Sequence, residues 1–371
     1  MIPVAEPVLL GNEKKYVMDC LDTLWISSRG KYIPLFEEQF SRYCGVRHGV
    51  ACANGTVGLH MALEVLGVGP GDEVIVPDFN IIVAANVVIL AGARPVLVDV
   101  EPDTWCLDPA RLEAAVTPRT KAIMVVHMYG HPCDMDPILA VARRHGLRVV
   151  EDCCQSHGAT YHGRMTGSLG DIGVFSFYGN KTITAGEGGM LVTDSDELAE
   201  RARLYRDNGF EVPRFIHKIR GMNYRLTNIQ AAIGLAQTEK LDLAVARKRE
   251  IARAYLEHLA GVPDLGLPVE RPGCRNVYWM FGVLIGDGFG PSKEEVMAGL
   301  AARGVDSRSF FFPLSEQPAL RGDDPRLPDL GGDRPVSRAL GRRGLYLPSG
   351  LGLTAEQIRH CAEALISLRR R

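Results

Sequence analysis

The chain has 371 residues, 46% hydrophobic and 23% charged, the balance of an ordinary globular protein with room for one large domain and a smaller one. Its 42 basic and 44 acidic residues leave a net charge of -2, which offers no electrostatic footprint for nucleic acid and no polybasic patch for a membrane surface. The N-terminus carries no basic leader, no apolar run could span a bilayer, and nine scattered cysteines do not read as a disulfide framework, so a reducing, cytoplasmic setting is expected.

Near the N-terminus, Trp25, Ser27, Arg29 and Lys31 form a polar, aromatic-bearing loop that either contacts substrate or stays solvated. Asn54-Gly55-Thr56 then opens an apolar helix, where backbone N–H groups and the Thr56 hydroxyl can bind an anion. Taken alone, that stretch is equally a plain helix cap. Gly67-x-Gly69-x-Gly71 follows a helix and precedes a strand, the reverse of a dinucleotide fingerprint, and reads as a turn.

Short β-branched runs follow at 72–78, 94–100, 121–130, 147–153, 173–179 and 188–194, alternating with amphipathic stretches such as 108–116 and 135–146. That alternation predicts an α/β fold with a mainly parallel sheet covered on both faces. Ligands in such sheets bind beyond the carboxyl ends of the strands. The polar groups expected there are Asp78, Asp99, His127, Glu151, Asp152 and the segment from Ser176 to Lys181.

Two of these segments carry most of the chemistry. Lys181 follows an apolar strand and precedes a glycine-rich turn, where a desolvated amine can lose its proton and attack a carbonyl, though a solvated loop lysine fits the same stretch. Ser176, five residues earlier, can hydrogen-bond a phosphate. Asp152, at the end of its strand, suits pairing with a protonated ring nitrogen, and Gln155 can reach a ring hydroxyl; an Asp that merely caps its loop is the alternative. No metal is expected: His127, His131 and Cys133 are loosely spaced like ligands, but they straddle a strand end and Pro132. Cys153-Cys154 lacks the spacing of a redox pair.

From residue 227 a long helical stretch runs to about 261, followed by a looser Pro- and Gly-containing region and a last helix from 354. The domain boundary is expected near 240, giving a large α/β domain over 1–240 and a smaller α+β domain over 241–371.

Taken in order, NGT, PGDEVIVP, VVED-x-x-Q-x-HGA, FSF-x-x-x-K and G-x-N-Y-R-x-T-N-I-Q-AA resemble the sugar aminotransferases of the DegT/DnrJ/EryC1/StrS family. The segments DTLWISSRGKYIPLFEEQFSRYCGV and HMYGHPCDMDPILAVARRHG look most like members that aminate a nucleotide-linked 4-keto-6-deoxyhexose. The resemblance implies a fold-type-I enzyme that uses pyridoxal 5'-phosphate, takes the amine from glutamate and works as a homodimer with shared active sites. It makes Lys181 the Schiff-base lysine and Asp152 the ring-nitrogen partner. Gln155 would lie near the ring oxygen, and Gly55, Thr56 and Ser176 would hold the phosphate, with Asn223 reaching it from the neighbouring subunit. Arg225 becomes a candidate substrate contact. The family often has a Thr and then a ring-stacking aromatic where Asn80 and Ile81 stand here, so an aliphatic Ile81 is left to pack on the ring, and Ser156 stands where the family commonly has Ala.

An aminotransferase acting on a cyclitol or another antibiotic-precursor ketone is the alternative within the same chemistry. A deoxysugar dehydratase on this scaffold would carry histidine in place of Lys181, and a binding or regulatory protein would have lost Lys181 or Asp152. The choice of sugar is expected to rest on the loops 25–33 and 206–220 and on the region 305–317.

Overall fold

A computed structural model describes residues 1–9, 11–211, 213 and 215–370, with Glu211 by its backbone only; residues 212 and 214 of the 206–220 loop thus lie outside the described residues. The central sheet has seven strands: β1 His48–Cys52, β2 Glu73–Pro77, β3 Arg94–Val98, β4 Thr120–Val126, β5 Arg148–Asp152, β6 Ile172–Ser176 and β7 Gly189–Thr193. Their order across the sheet is β1-β7-β6-β5-β4-β2-β3. From β3 through β6 every pairing is parallel, while β7 runs antiparallel to both of its neighbours.

Every residue of β2, β6 and β7 is buried, which requires cover on both faces. Side chains alternate across the sheet accordingly. Val74, Val76, Val150 and Val174 face the helices Gly55–Val65 and Val83–Leu90. Ile75, Ile123 and Val149 face the opposite layer, with Met135 and Ile138 of the helix Met135–His145. Phe175 and Val192 meet Phe36, Phe40 and Ala231 on that same side.

Strand β1 escapes the sequence reading because His48-Gly49-Val50-Ala51-Cys52 is too short and too weakly β-branched to announce itself. The helical stretch from 227 is also two helices, Asn228–Thr238 and Leu241–Leu259. Between them Glu239 accepts hydrogen bonds from Asn12 (2.7 Å) and Tyr16 (2.7 Å), and Lys240 leaves helical geometry at φ -115°. The second helix carries the chain to an antiparallel sheet of β8 Leu265–Gly266, β9 Phe281–Ile285, β10 Arg308–Ser309 and β11 Gly344–Leu347, in the order β8-β9-β11-β10. Its own core holds Tyr255 stacked on Phe281 at 4.7 Å, with Leu300 and Ile358 from the helices Lys293–Ala302 and Ala355–Ile366. Among the described residues no helix is long and apolar enough to cross a membrane.

Candidate active site

The structure divides the polar strand ends into two groups. Asp78 accepts the Ser315 N–H (2.7 Å) and hydroxyl (2.9 Å), and Asp99 accepts Val336 N–H, Ser337 N–H and the Ser337 hydroxyl at the start of the helix Pro335–Arg343. Both carboxylates therefore pin later parts of the chain to the sheet. His127 Nδ1 accepts the Cys133 N–H (3.0 Å), which puts the ring proton on Nε2, facing Glu151 at 3.0 Å. Glu151 also accepts the N–H groups of Gly167, Leu169 and Gly170 at 2.7–2.8 Å. His127, Glu151 and Cys153 bring ligand-type atoms within 4.8 Å of one another, yet both imidazole nitrogens and both carboxylate oxygens already have partners. His131 is engaged as well, by the Pro132 carbonyl and the Arg271 N–H.

The second group meets in a cavity of about 360 Å³ at the carboxyl ends of β5 and β6, lined by Gly55, Thr56, Ile81, Asp152, Gln155, Ser176 and Lys181 among others. The N-terminus of the Gly55–Val65 helix meets it, since Asn54, which caps that helix by accepting the Val57 N–H at 3.1 Å, lines the cavity together with Gly55 and Thr56. Gly55 sits so close to the sheet that a Cβ there would lie 2.8 Å from Cys154 Sγ and 2.9 Å from Ser176 Cβ, so only glycine lets the helix start come this near. Open backbone N–H groups, the Thr56 hydroxyl and the Ser176 hydroxyl thus converge at one end, a cradle suited to a phosphate.

At the other end, Asp152 is 3% exposed and accepts the Cys154 N–H (3.0 Å) through one oxygen. Gln155 accepts the Tyr129 N–H at 2.8 Å through Oε1, and this contact fixes the amide so that Nε2 is the remaining donor. Lys181 lies in a turn closed by its N–H on the Tyr178 carbonyl (2.9 Å). Burial holds its amine below the usual lysine range, opposed by the neighbouring Asp152. The Cys154 thiol is itself pushed well up by burial and stays neutral, so the opposing charge is the carboxylate. Beneath the site, His157 is buried among Phe40, Phe175 and Phe177, and burial lowers its imidazole to about 3.

Other candidate residues lie elsewhere. Trp25, Arg29 and Lys31 line a second cavity of about 700 Å³ with Asp19, Glu37 and Arg206, and the two cavities share no lining residue. Ser27 contributes its carbonyl to the Asn228 N–H (2.6 Å) instead of lining that cavity. Arg225 is paired with Asp207, and Asn223 is exposed on its own chain. Conversely, Trp279, Phe311 and Tyr346 wall the first cavity from more than ninety residues beyond Lys181. Phe311 falls within the 305–317 region expected to bear on the choice of sugar, whereas Trp279 and Tyr346, in VYWMF and GLYLP, look like ordinary core, and nothing in their spacing points to a site.

A model of the DegT/DnrJ/EryC1/StrS aminotransferase family matches residues 8–366. The chain is 49% identical over 369 residues to a GDP-perosamine synthase of Caulobacter vibrioides, covering 98% of this chain and 97% of that protein. It is 41% identical to a GDP-perosamine synthase of Escherichia coli O157:H7, covering 98% and 97%. Among solved structures, Streptomyces venezuelae DesV in complex with a ketimine intermediate superposes with a TM-score of 0.90 at 37% identity, over 97% of this chain and 95% of that one. 3-Amino-5-hydroxybenzoic acid synthase superposes with a TM-score of 0.92 at 30% identity, over 99% and 98%.

Proposed function

Because the chain belongs to the DegT/DnrJ/EryC1/StrS aminotransferase family, we propose that it aminates a nucleotide-linked 4-keto-6-deoxyhexose, yielding a perosamine-type amino sugar with glutamate as donor. It is a sugar aminotransferase, and the observation that carries the finer reading is the single cavity joining Lys181, Asp152, Gln155, Ser176 and the start of the Gly55–Val65 helix.

These residues fit pyridoxal 5'-phosphate: a cradle that a Cβ at Gly55 would fill, a buried carboxylate, an amide donor and a desolvated amine. When bound, that cofactor supplies an electron sink that no side chain offers. Gly55, Thr56 and Ser176 hold its phosphate, and Asn223 of the partner subunit completes that grip in a homodimer. Asp152 keeps a proton on the ring nitrogen, and Gln155 donates Nε2 to the ring oxygen. Ile81, 43% exposed at the cavity edge, packs on the ring where an aromatic side chain would stack. Lys181 takes the proton from the donor's α-carbon as a base and returns it as an acid, a task eased by an amine held below its usual range. Trp279, Phe311 and Tyr346 exclude water from that transfer. Trp25, Ser27, Arg29, Lys31 and Arg225 are assigned to the sugar nucleotide. The same reading divides the chain near residue 240, a division supported by the seven-stranded and four-stranded sheets lying within 48–193 and 265–347, with the short strand Cys274–Arg275 pairing back across it onto Thr160–Tyr161.

The test is an absorbance spectrum of the protein with pyridoxal phosphate, before and after glutamate, alongside Lys181→Ala. A visible band that bleaches with glutamate in the wild type and is missing from the variant is the expected outcome. GDP-4-keto-6-deoxymannose should then gain an amine detectable by mass. Absence of the band in the wild type defeats the reading, and amination of free cyclitol ketones in preference to the nucleotide sugar moves the substrate to the cyclitol class.

A further inference from the structure

Trp279 contacts the Asn180-Lys181 segment at two points. Its indole Nε1 donates to the Asn180 carbonyl at 2.8 Å, fixing the backbone one residue before the lysine. Its ring face lies under the Lys181 Nζ, 3.8 Å from the centroid. The indole is 4% exposed, so its face is largely withdrawn from bulk water, and a cation over a tryptophan face is worth more the less water competes for it.

Considerable structure aims this ring. The Trp279 carbonyl accepts the buried Lys248 Nζ at 2.8 Å, and Lys248 also donates to the Ser349 carbonyl. Tyr278, the residue before, holds φ at +48°, a region disfavoured for a bulky side chain. Across from it Gly130 leaves no room for a side chain, since a Cβ would meet Tyr278 N at 2.9 Å and Trp279 N at 3.0 Å. A strained residue, a buried lysine and a close backbone approach thus converge on the orientation of one indole.

We propose that Trp279 is a positioning residue for Lys181: its N–H sets the backbone that presents the lysine, and its face receives the ε-ammonium whenever that amine is not bonded to the cofactor. The proposal rests on reading Lys181 as the lysine that bonds the cofactor. An incoming donor amine displaces Lys181, which must then stay within reach to move a proton. A lysine stem is long and flexible, and an aromatic face confines the displaced amine without tying up a hydrogen-bond acceptor. Burial favours the neutral amine and the ring favours the ammonium, so removing the ring tips the balance further toward the neutral form.

The measurement reads Lys181 in cofactor-free protein. Wild type, Trp279→Phe and Trp279→Leu are pulse-labelled with an amine-acylating reagent across a pH series, and acylation of Lys181 is followed by peptide mass spectrometry. The labelling midpoint is expected to be highest in the wild type, lower by about one pH unit in Trp279→Leu, and intermediate in Trp279→Phe. Wild-type protein grown with increasingly fluorinated tryptophans, which keep shape and N–H while draining the ring of electrons, is expected to show a stepwise fall. That series decides the matter if Trp279→Leu does not fold. An unchanged midpoint in Trp279→Leu, or across the fluorinated series, overturns the proposal. Borohydride reduction of the wild type with cofactor is run in parallel. Absence of an adduct on Lys181 defeats the underlying reading, whereas an adduct with unmoved midpoints defeats the role of Trp279 alone.

Discussion

Glu151 and Asp152 are adjacent carboxylates on β5 and almost equally buried, yet they sit on opposite faces of the sheet. The alternation of the strand sends Glu151 to the side of Val149 and Asp152 to the side of Val150, toward the Gly55–Val65 helix. On its side Glu151 accepts three backbone N–H groups and faces the His127 ring, so its oxygens are saturated and it organises the 167–170 loop. Asp152 lines a cavity and, among the described residues, accepts a single backbone N–H, that of Cys154. A buried carboxylate with every lone pair answered belongs to the fold, and one that opens onto a cavity belongs to chemistry.

The largest expected effects separate these neighbours. Asp152→Asn keeps the shape but cannot hold a proton on a ring nitrogen, so turnover should fall by about a hundredfold to ten-thousandfold. Its thermal midpoint should stay close to wild type, as read by a melting curve beside a steady-state assay for glutamate-derived keto acid. Glu151→Ala strands three N–H groups and His127 in a dry interior, at about 3–5 kcal/mol of stability. Its urea midpoint should drop steeply, while the folded fraction keeps its turnover. If the two variants traded symptoms, the contrast between the two sides of the strand would collapse.

Much of the first region is legible in the sequence, for a physical reason. Asp152 and Gln155 lie three residues apart, Ser176 and Lys181 five, and each pair follows a β-branched run whose end must fall at the rim of a parallel sheet. Local spacing therefore carries their convergence. Asp78, His127 and Glu151 are polar strand ends of the same kind in the sequence and Asp99 reads there as an ordinary one without chemistry, but the partners of the four are Ser315, Cys133, the 167–170 loop and Ser337, which no periodicity reveals. Trp279 is hidden by the same cause, since its approach to Lys181 depends on how β9 and the helix Leu241–Leu259 pack across the fold. The Trp25–Lys31 loop is visible as composition, whereas its separate cavity depends on the buried Asn228 side chain, which donates to the Trp25 carbonyl (2.7 Å) and accepts the Tyr32 N–H (3.0 Å).

A smaller effect tests the layer beneath the cavity. His157 is lowered to about 3 by burial, with the charge of Lys181 adding to it, against an ordinary value of 6.5. Between those values the unfolded chain binds a proton that the native ring refuses, so this residue makes stability rise with pH across the window and fall on acidification. His157→Phe, in a pocket already formed by Phe40, Phe175 and Phe177, should remove that pH dependence. The loss of stability from neutral pH to about pH 5 should shrink by about 2 kcal/mol, measured as urea midpoints at the two pH values. An acid limb as steep as that of the wild type would mean that His157 takes up its proton in the folded state.

The smallest effect belongs to Ser176, on the cavity side of the sheet. Its hydroxyl is one donor among several aimed at the phosphate cradle, the others being Thr56 and the backbone N–H groups at the start of the Gly55–Val65 helix. An anion held mainly by a helix N-terminus keeps most of its binding when one hydroxyl is removed. Ser176→Ala should therefore weaken pyridoxal phosphate by about tenfold, near 1.4 kcal/mol, in a titration followed by absorbance. Gly55→Ala disturbs the backbone itself, because its Cβ would press on Cys154 and Ser176, and should weaken the cofactor more than Ser176→Ala does. The reverse ranking would locate the phosphate on side-chain hydroxyls and remove the helix start from the site, leaving Asp152 and Lys181 as its only fixed points.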